Sequence, residues 1–564
     1  MFKEELVELL AKKTGIRKDD VDKLIEVPPD PGLGDYAFPC FSLAKTQKKA
    51  PNAIAAELAK ELKPGKSFSN IKATGPYLNF FVDKNKLAES TLKEIVKCTA
   101  CYGSGVMKKE KIMVEYPAPN TNKPLHLGHV RNMLLGNSVC NILAFAGYNT
   151  IPVNLVNDRG VHICKSMLAY RKWGEGAEPN KKSDHFVGDF YVLYNKYEKE
   201  HPEIENEIRD MLRKWEEGDK ELVALWHRMR KWALDGFNQT YALFDVHHKK
   251  EYYESNIYTH GKEIILEGLN KGLFYKDDEG AVIADLTGSG LGKKILLRED
   301  GTSIYITQDI YLAKLKFDEF KMDRSVYVVA NEQDHHFRVL FKILEKLGFP
   351  YAKKCYHLSY GMVNLPEGRM KSREGTVVDA DDLFAEMKEV AVEEIMKRHH
   401  EIDKKDLEKR SGIIALSAIK FFILKHDPQK DMIYNPKESI SFEGETGPYV
   451  QYAHARICSI MRQVKDFNPE KIKAKYSCEK EFRLITLMAG FSKVVADAAE
   501  QYRPSNVARY SLELAQAFNE FYQECPVLKA DKKTRDSRLL LIFCTRIVLR
   551  NALDLLGIQA PEEM

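Results

Sequence analysis

Apolar positions recur along this chain with two different periods, and the change from one to the other marks how it is organised. Helical spacing over Phe2 to Thr14 and Ala50 to Leu62 brackets a turn-rich run from Pro28 to Tyr36, and Gly75-Pro76-Tyr77-Leu78-Asn79-Phe80-Phe81-Val82 reads as a strand. These patterns predict a small α+β domain over residues 1–108, with the polar stretch Gly103 to Lys111 as its linker. From 109 to 405, β-prone runs at Ile112 to Tyr116, Thr150 to Val156, Ser325 to Ala330 and His357 to Val363 alternate with helices. Such alternation predicts an α/β domain with a Rossmann-like parallel sheet. A charged, Trp-bearing helical stretch at about 170–260, including Glu216 to Phe244, reads as an insertion into it. Residues 406–564 carry helical spacing at Ile413 to Leu424, Gly447 to Val464, Glu481 to Gln501, Val507 to Gln523 and Arg538 to Leu555, which predicts an all-α bundle.

Composition narrows the class. The 564 residues exceed what one core serves, since cores stop growing near ~250 to 300 residues. With 44% hydrophobic and 30% charged residues the chain is globular, and no apolar run reaches the roughly 18 to 20 residues that span a bilayer. The acidic, amphipathic start Met1-Phe2-Lys3-Glu4-Glu5-Leu6 lacks the form of a secretory signal, so a cytoplasmic location without membrane attachment is expected. Lys and Arg number 86 against 82 Asp and Glu; a net charge of +4 leaves any nucleic-acid binding to local patches. The ten cysteines are scattered, and Cys98 and Cys101 lack the second ligand pair that zinc requires. Reduced buried thiols are expected, and no protein-bound metal.

The stretch His126-Leu127-Gly128-His129 carries the most chemistry. It follows the β-prone run that ends at Tyr116 and opens the helical pattern from Gly128 to Ala146, so it sits where a strand hands over to a helix. Unpaired amides and the helix dipole favour an anion there, Gly128 admits a ligand to the backbone, and two imidazoles can donate to it. A second candidate for polyphosphate binding is the basic loop Gly368-Arg369-Met370-Lys371-Ser372-Arg373-Glu374-Gly375; a solvated surface turn is the competing reading. Between the two, Tyr305 and Asp309 stand four apart near a strand-to-helix transition, where a phenol beside a carboxylate suits a cation. Core packing for Tyr305 and helix capping for Asp309 are the alternatives. Glu115 could add a second anionic group to a pocket for a planar guanidinium.

In this order the HxGH element and the basic Met-containing loop resemble the HIGH and KMSKS elements of class I aminoacyl-tRNA synthetases. Asn331-Glu332-Gln333-Asp334-His335-His336-Phe337, Gly361-Met362-Val363, Gly447-Pro448-Tyr449-Val450-Gln451-Tyr452-Ala453-His454-Ala455-Arg456 and the terminal Asn551 to Ile558 resemble segments of the arginyl-tRNA synthetase family. Gly34-Asp35-Tyr36-Ala37 and Gly75 to Phe81 resemble its extra N-terminal domain, so the resemblance covers nearly the whole chain.

The resemblance implies a ligase that activates L-arginine with ATP, supplied as its Mg2+ complex, and then charges tRNA(Arg). His126 and His129 would act at the α-phosphate, Gly128 would make room for the nucleotide, and Gly361, Met362 and Val363 would flank the adenine. Asp309, Tyr305 and Glu115 would hold the guanidinium, with Asn120 and Gln333 at the amino acid's polar end. The loop departs from the family pattern in placing Ser372 where a lysine would stand, so Lys371, Arg373 or a residue elsewhere, Arg369 among them, must supply that charge. Asn157-Asp158-Arg159-Gly160 also departs from the family's usual form, and His162 beside it either lines the site or is structural. In the helical part Tyr449, Tyr452 and Tyr522 are candidates to stack on anticodon bases, each worth about 1 to 3 kcal/mol. Tyr77 and Asn79 fall where the family contacts the D-loop. Helix and strand packing compete for these five residues. The family expectation is a monomer. Two other readings stand beside this one: another class I synthetase or a nucleotidyltransferase sharing the HIGH-like site and binding a different acid, and a tRNA-binding paralogue without activity.

Overall fold

The computed structural model describes residues 2–28, 30–365, 368–369, 378–398, 401–434 and 444–564. Two units result, and neither is a continuous stretch of chain. One comprises Met1–Tyr102, Ile457–Phe491 and Leu514–Val548, the other Gly103–Arg456, Ser492–Glu513 and Leu549–Met564.

The first unit contains the strands β1 (Tyr36–Pro39), β2 (Phe68–Thr74) and β3 (Tyr77–Val82), an antiparallel sheet in the order β1-β3-β2. The expected strand over Gly75 to Val82 begins two residues later, because Gly75 at φ +56° turns the chain from β2 into β3. Leu6 and Leu10 from helix Phe2–Thr14 meet Phe38, Leu78 and Phe80 of the sheet in one core. Helix Lys84–Cys98, started by the Asp83 carboxylate accepting the Lys86 N–H at 2.9 Å, packs instead on helix Glu479–Ala489. The Tyr102 hydroxyl donates to the Met488 carbonyl at 2.9 Å and the Tyr476 N–H to Asn85 Oδ1 at 3.2 Å. Cys101 is exposed, with its thiol on the Cys98 carbonyl, which corrects the expectation that this pair is buried.

The second unit is built on β4 (Lys111–Glu115), β5 (Asn149–Val156) and β6 (Lys250–Tyr253). A small antiparallel sheet of β7 (Tyr275–Lys276), β8 (Val282–Asp285) and β9 (Lys293–Leu297) follows. The chain then returns as β10 (Arg324–Ala330) and β11 (Cys355–Tyr360). The main sheet has the order β11-β10-β4-β5-β6 and is parallel throughout. Ile112, Met113 and Val114 are fully buried, as a central parallel strand covered on both faces requires. From β4 the chain winds outward through β5 and β6 and then resumes on the other side of β4, so the order reverses between β4 and β10. Ligands of open parallel sheets bind beyond the carboxyl ends of the strands at such a reversal.

Helices Val161–Trp173, Ser183–Glu200, Ile204–Glu216 and Lys220–Phe244 fill the connection from β5 to β6 around their own core of Met167, Phe186, Trp226 and Trp232. Two predicted elements divide at glycines. The run His357 to Val363 breaks at Gly361, where a Cβ would stand 2.5 Å from the Asp431 nitrogen, and β12 (Val363–Leu365) pairs with β13 (Gly368–Arg369) and β14 (Met432–Ile433). The single helix expected over Glu481 to Gln501 is two, Glu479–Ala489 and Phe491–Gln501, parted at Gly490. In helix Gly447–Arg462, Gln451 and His454 bond the carbonyls of Gln559 and Pro561, tying down the end of the chain.

Candidate active site

β4 stops at Glu115, and the chain reaches helix Leu127–Phe145 through a loop pinned to β5: the Thr121 N–H donates to the Asn157 carbonyl at 3.1 Å, and that of Asn157 to Pro119 at 2.9 Å. Asn120 is thereby fixed, half-buried, beside Asn157 just past the carboxyl end of β5. His126 is the extended residue that caps the helix. Its Nδ1 accepts the Gly128 N–H at 3.2 Å, and its own N–H donates to His129 Nδ1 at 3.1 Å. Since both rings accept at Nδ1, this network assigns their protons to Nε2. Burial, then the Lys123 charge, pushes His126 down to about 3. His129 lies well below the imidazole range through burial, His126 and Lys123 in that order. Two uncharged N–H donors, with ring centres 3.9 Å apart, thus stand at a helix N-terminus. At Gly128 a Cβ would stand 3.0 Å from the His126 ring, which would have to give by a few tenths of an ångström.

His126 is also held from outside its helix. The Leu127 N–H donates to Val378 and that of Ala380 to Leu125, both at 2.9 Å, so His126 pairs with Asp379 across an antiparallel bridge. Asp379 caps helix Ala380–Met396 and is pushed up to about 6, chiefly by burial. His185 Nε2 stands 3.4 Å from Asp379 and 2.9 Å from Asp381. Asp184, His185 and Asp381 have the spacing of cation ligands, and the Lys182 ammonium already stands on Asp184 and Asp381.

Val130-Arg131-Asn132 does more than the motif reading assigned to it. Arg131, 2% exposed, donates to the carbonyls of Met362 at 3.2 Å, Pro428 at 2.9 Å and Lys430 at 2.7 Å. Asn132 reaches the Val328 carbonyl at 2.8 Å and the Tyr360 hydroxyl at 3.0 Å. The capped helix therefore fixes the ends of β10 and β11 and the segment Gly361, Met362 and Val363. Gly361 and Val363 are buried and Met362 is half-exposed, its N–H on the Asp431 carboxylate at 2.7 Å.

Helix Tyr305–Phe320 packs against β4, with Leu312 beside Met113 in one core. Positions 305, 309, 312 and 316 lie along one helix face. Tyr305 is 71% exposed, so it is not a core residue, and Asp309 lies one turn inside the helix, so it is not a cap. Asp309 Oδ2 stands 2.7 Å from His336 Nε2, which leaves Oδ1 for another partner. Glu115, expected as a second anionic group of the guanidinium pocket, is 5% exposed and ion-paired with Lys316, itself fully buried. A further acid, missed from sequence, lies close enough to Asp309 to feel its charge. Glu254, directly after β6, is pushed up to about 7 by burial; Arg159 opposes this, and the charges of Asp158 and Asp309 add to it. Gln333 is exposed in the short helical turn after β10.

Lys371 and Arg373 lie outside the described residues. Asp158 is buried and takes the Arg230 guanidinium and the Ser255 N–H and hydroxyl at 2.7 to 2.9 Å, which makes it the anchor of the helical insertion; His162 is exposed nearby. Tyr449 is half-buried, and Tyr452 is 38% exposed with Arg456 over its ring. In the first unit Tyr522 is half-buried on Phe518, and Tyr77 sits edge-on to Phe41. Asn79 is 3% exposed, so its place is strand packing and not an RNA-facing surface. That unit also carries a cavity of about 780 Å³ walled by Lys465, Lys471, Lys473, Lys532, Lys533 and Arg535 against two acids, Asp466 and Asp536, so its wall is net basic.

A family model described as "tRNA synthetases class I (R), catalytic domain" matches residues 91–436, so the sheet and its histidine-capped helix are those of a class I aminoacyl-tRNA synthetase. The "DALR anticodon binding domain" matches 450–564 and the "Arginyl tRNA synthetase N terminal domain" 1–82. The arginine–tRNA ligase of Treponema denticola is 45% identical over 98% of this chain and 97% of its own, and that of Porphyromonas gingivalis W83 44% identical over 94% of each. The solved arginyl-tRNA synthetase of Thermus thermophilus superimposes with a TM-score of 0.83 at 27% identity, covering 100% of this chain and 99% of its own. The chain belongs to the arginyl-tRNA synthetase family.

Proposed function

We infer that the chain is an arginine–tRNA ligase, which activates L-arginine with ATP to arginyl-adenylate and passes the arginyl group to the terminal adenosine of tRNA(Arg). The observation that carries the site assignment is the pair of uncharged imidazoles at the Leu127 helix, each with an Nε2 proton to give, beside the parallel sheet against which helix Tyr305–Phe320, the carrier of Asp309, also packs. The arginine carboxylate attacks the α-phosphate, pyrophosphate leaves, and the developing charge on the phosphoryl oxygens is met by His126 and His129. No proton need move at this step, so donors that stay neutral suit it. A ribose hydroxyl of the tRNA then attacks the adenylate carbonyl and releases AMP.

Asp309 Oδ1, Glu254 and the Tyr305 hydroxyl hold the guanidinium, while Glu115 and Lys316 form the fixed floor beneath them. Asn120 and Gln333 orient the amino acid's polar end. Gly361, Met362 and Val363 border the adenine, and Lys371 or Arg373 neutralises the leaving pyrophosphate of the magnesium complex. Residues 1–108 serve the D-loop through Tyr77, 109–405 the chemistry and 406–564 the anticodon, where Tyr449, Tyr452 and Tyr522 stack and the lysine-walled cavity takes backbone phosphates. The enzyme acts as a monomer in the cytoplasm, where its substrates are. Among the described residues no helix is long and apolar enough to cross a membrane.

The test is amino-acid-dependent ATP–pyrophosphate exchange, with and without tRNA, across the twenty amino acids, followed by charging of a tRNA pool. Exchange and charging with arginine alone are expected. Charging with another amino acid would refute the specificity pocket, and tRNA binding with no transfer would refute the enzyme.

A further inference from the structure

Two thiols distant in sequence meet in the first unit. Cys525, following helix Pro504–Glu524, donates its S–H to Cys478 with 3.4 Å between the sulfurs. We propose that Cys478 and Cys525 are an oxidation site, a dithiol that a hydroperoxide converts reversibly to a disulfide.

The two residues have the asymmetry such a reaction needs. Cys478 is half-exposed, so peroxide can reach it, and as the cap of helix Glu479–Ala489 it accepts the Glu481 N–H. Cys525 is 3% exposed, and burial pushes it up to about 11, so it waits as the thiol. Arg538 keeps the sulfurs together: its Nε donates to Glu481 at 2.8 Å, and another guanidinium N–H donates to the Pro526 carbonyl at 2.8 Å. One side chain thus spans the two backbone segments that carry the cysteines.

The reaction balances without a further reagent. The Cys478 thiolate attacks one peroxide oxygen, the O–O bond breaks, and the released hydroxide takes a proton to become water, leaving a sulfenic acid. Cys525 then gives up its proton and attacks the Cys478 sulfur, and the S–O bond breaks to release a second water. The two thiols lose two electrons and the peroxide gains them. Exposed Cys101 is the competitor for peroxide.

The full-length chain treated with stoichiometric hydrogen peroxide, alkylated and digested should yield a Cys478–Cys525 linked peptide about 2 Da lighter than the sum of its reduced parts, restored by dithiothreitol. Cys525→Ser should leave Cys478 as a sulfenic acid captured by dimedone. Cys478→Ser, which keeps a capping oxygen, should abolish the link. The proposal fails if both cysteines still alkylate fully after peroxide has oxidised Cys101, or if Cys525→Ser gives no dimedone adduct at Cys478.

Discussion

On the proposed function, His126 and His129 would serve the reaction by what they do not do: they take no proton over the working range. Each is a donor whose tautomer is set by a backbone amide, so His129→Ala should lower arginine-dependent pyrophosphate exchange by about 10²- to 10³-fold with the KM for arginine unchanged. Glu254 behaves in the opposite way. Burial pushes its carboxyl up to about 7, and in the proposed pocket only its anion would attract the guanidinium, so the KM for arginine should rise as pH falls through about 7. Glu254→Gln should raise that KM about tenfold or more and flatten its pH dependence. For Glu115 and Lys316 the measurement is urea unfolding. Lys316→Met, which strands a buried carboxylate, should cost about 3 to 5 kcal/mol, and Lys316→Met with Glu115→Leu should regain most of it. If Glu115 also held arginine directly, that double variant would fold normally and show a raised KM for arginine.

At the scale of elements, what could be read beforehand depended on length and on whether contacts are local. β4, β5 and β10 are apolar runs of five to eight residues, long enough to declare themselves. β6 is the polar edge sequence Lys-Glu-Tyr-Tyr, and β7 to β9 have two to five residues with lysines among them, so no alternation develops. The site divides in the same way. Tyr305 and Asp309 were visible because a helix repeat puts them on one face, whereas Glu254, His336 and Lys316 join Asp309 and Glu115 through crossovers that no local pattern encodes. Arg131 shows how an element carries function without touching substrate. Its three bonds attach the histidine-capped helix to Met362, Pro428 and Lys430, so if Gly361 to Val363 border the adenine as proposed, Arg131→Leu should raise the KM for ATP several-fold while the KM for arginine holds. Steady-state exchange kinetics in each substrate would separate the two.

At the scale of the molecule, the first unit is assembled from three separated stretches. A fragment of residues 1–108 retains the core around Leu10, Phe38 and Phe80 but lacks Met488, Tyr476 and Cys544, against which Asn85, Leu92 and Tyr102 are placed. Limited proteolysis of that fragment should therefore cut within helix Lys84–Cys98, a region that stays intact in the full chain. This helix also sets a timetable for synthesis. About 380 residues separate Cys98 from Glu479, so at ribosomal rates of about 5 to 20 residues per second the apolar side of the helix, with Leu92 and Ile95, waits roughly 20 to 80 seconds for its partner. The nascent chain thus carries a sticky surface through most of its own translation, and a chaperone that shields amphipathic helices would find its substrate there.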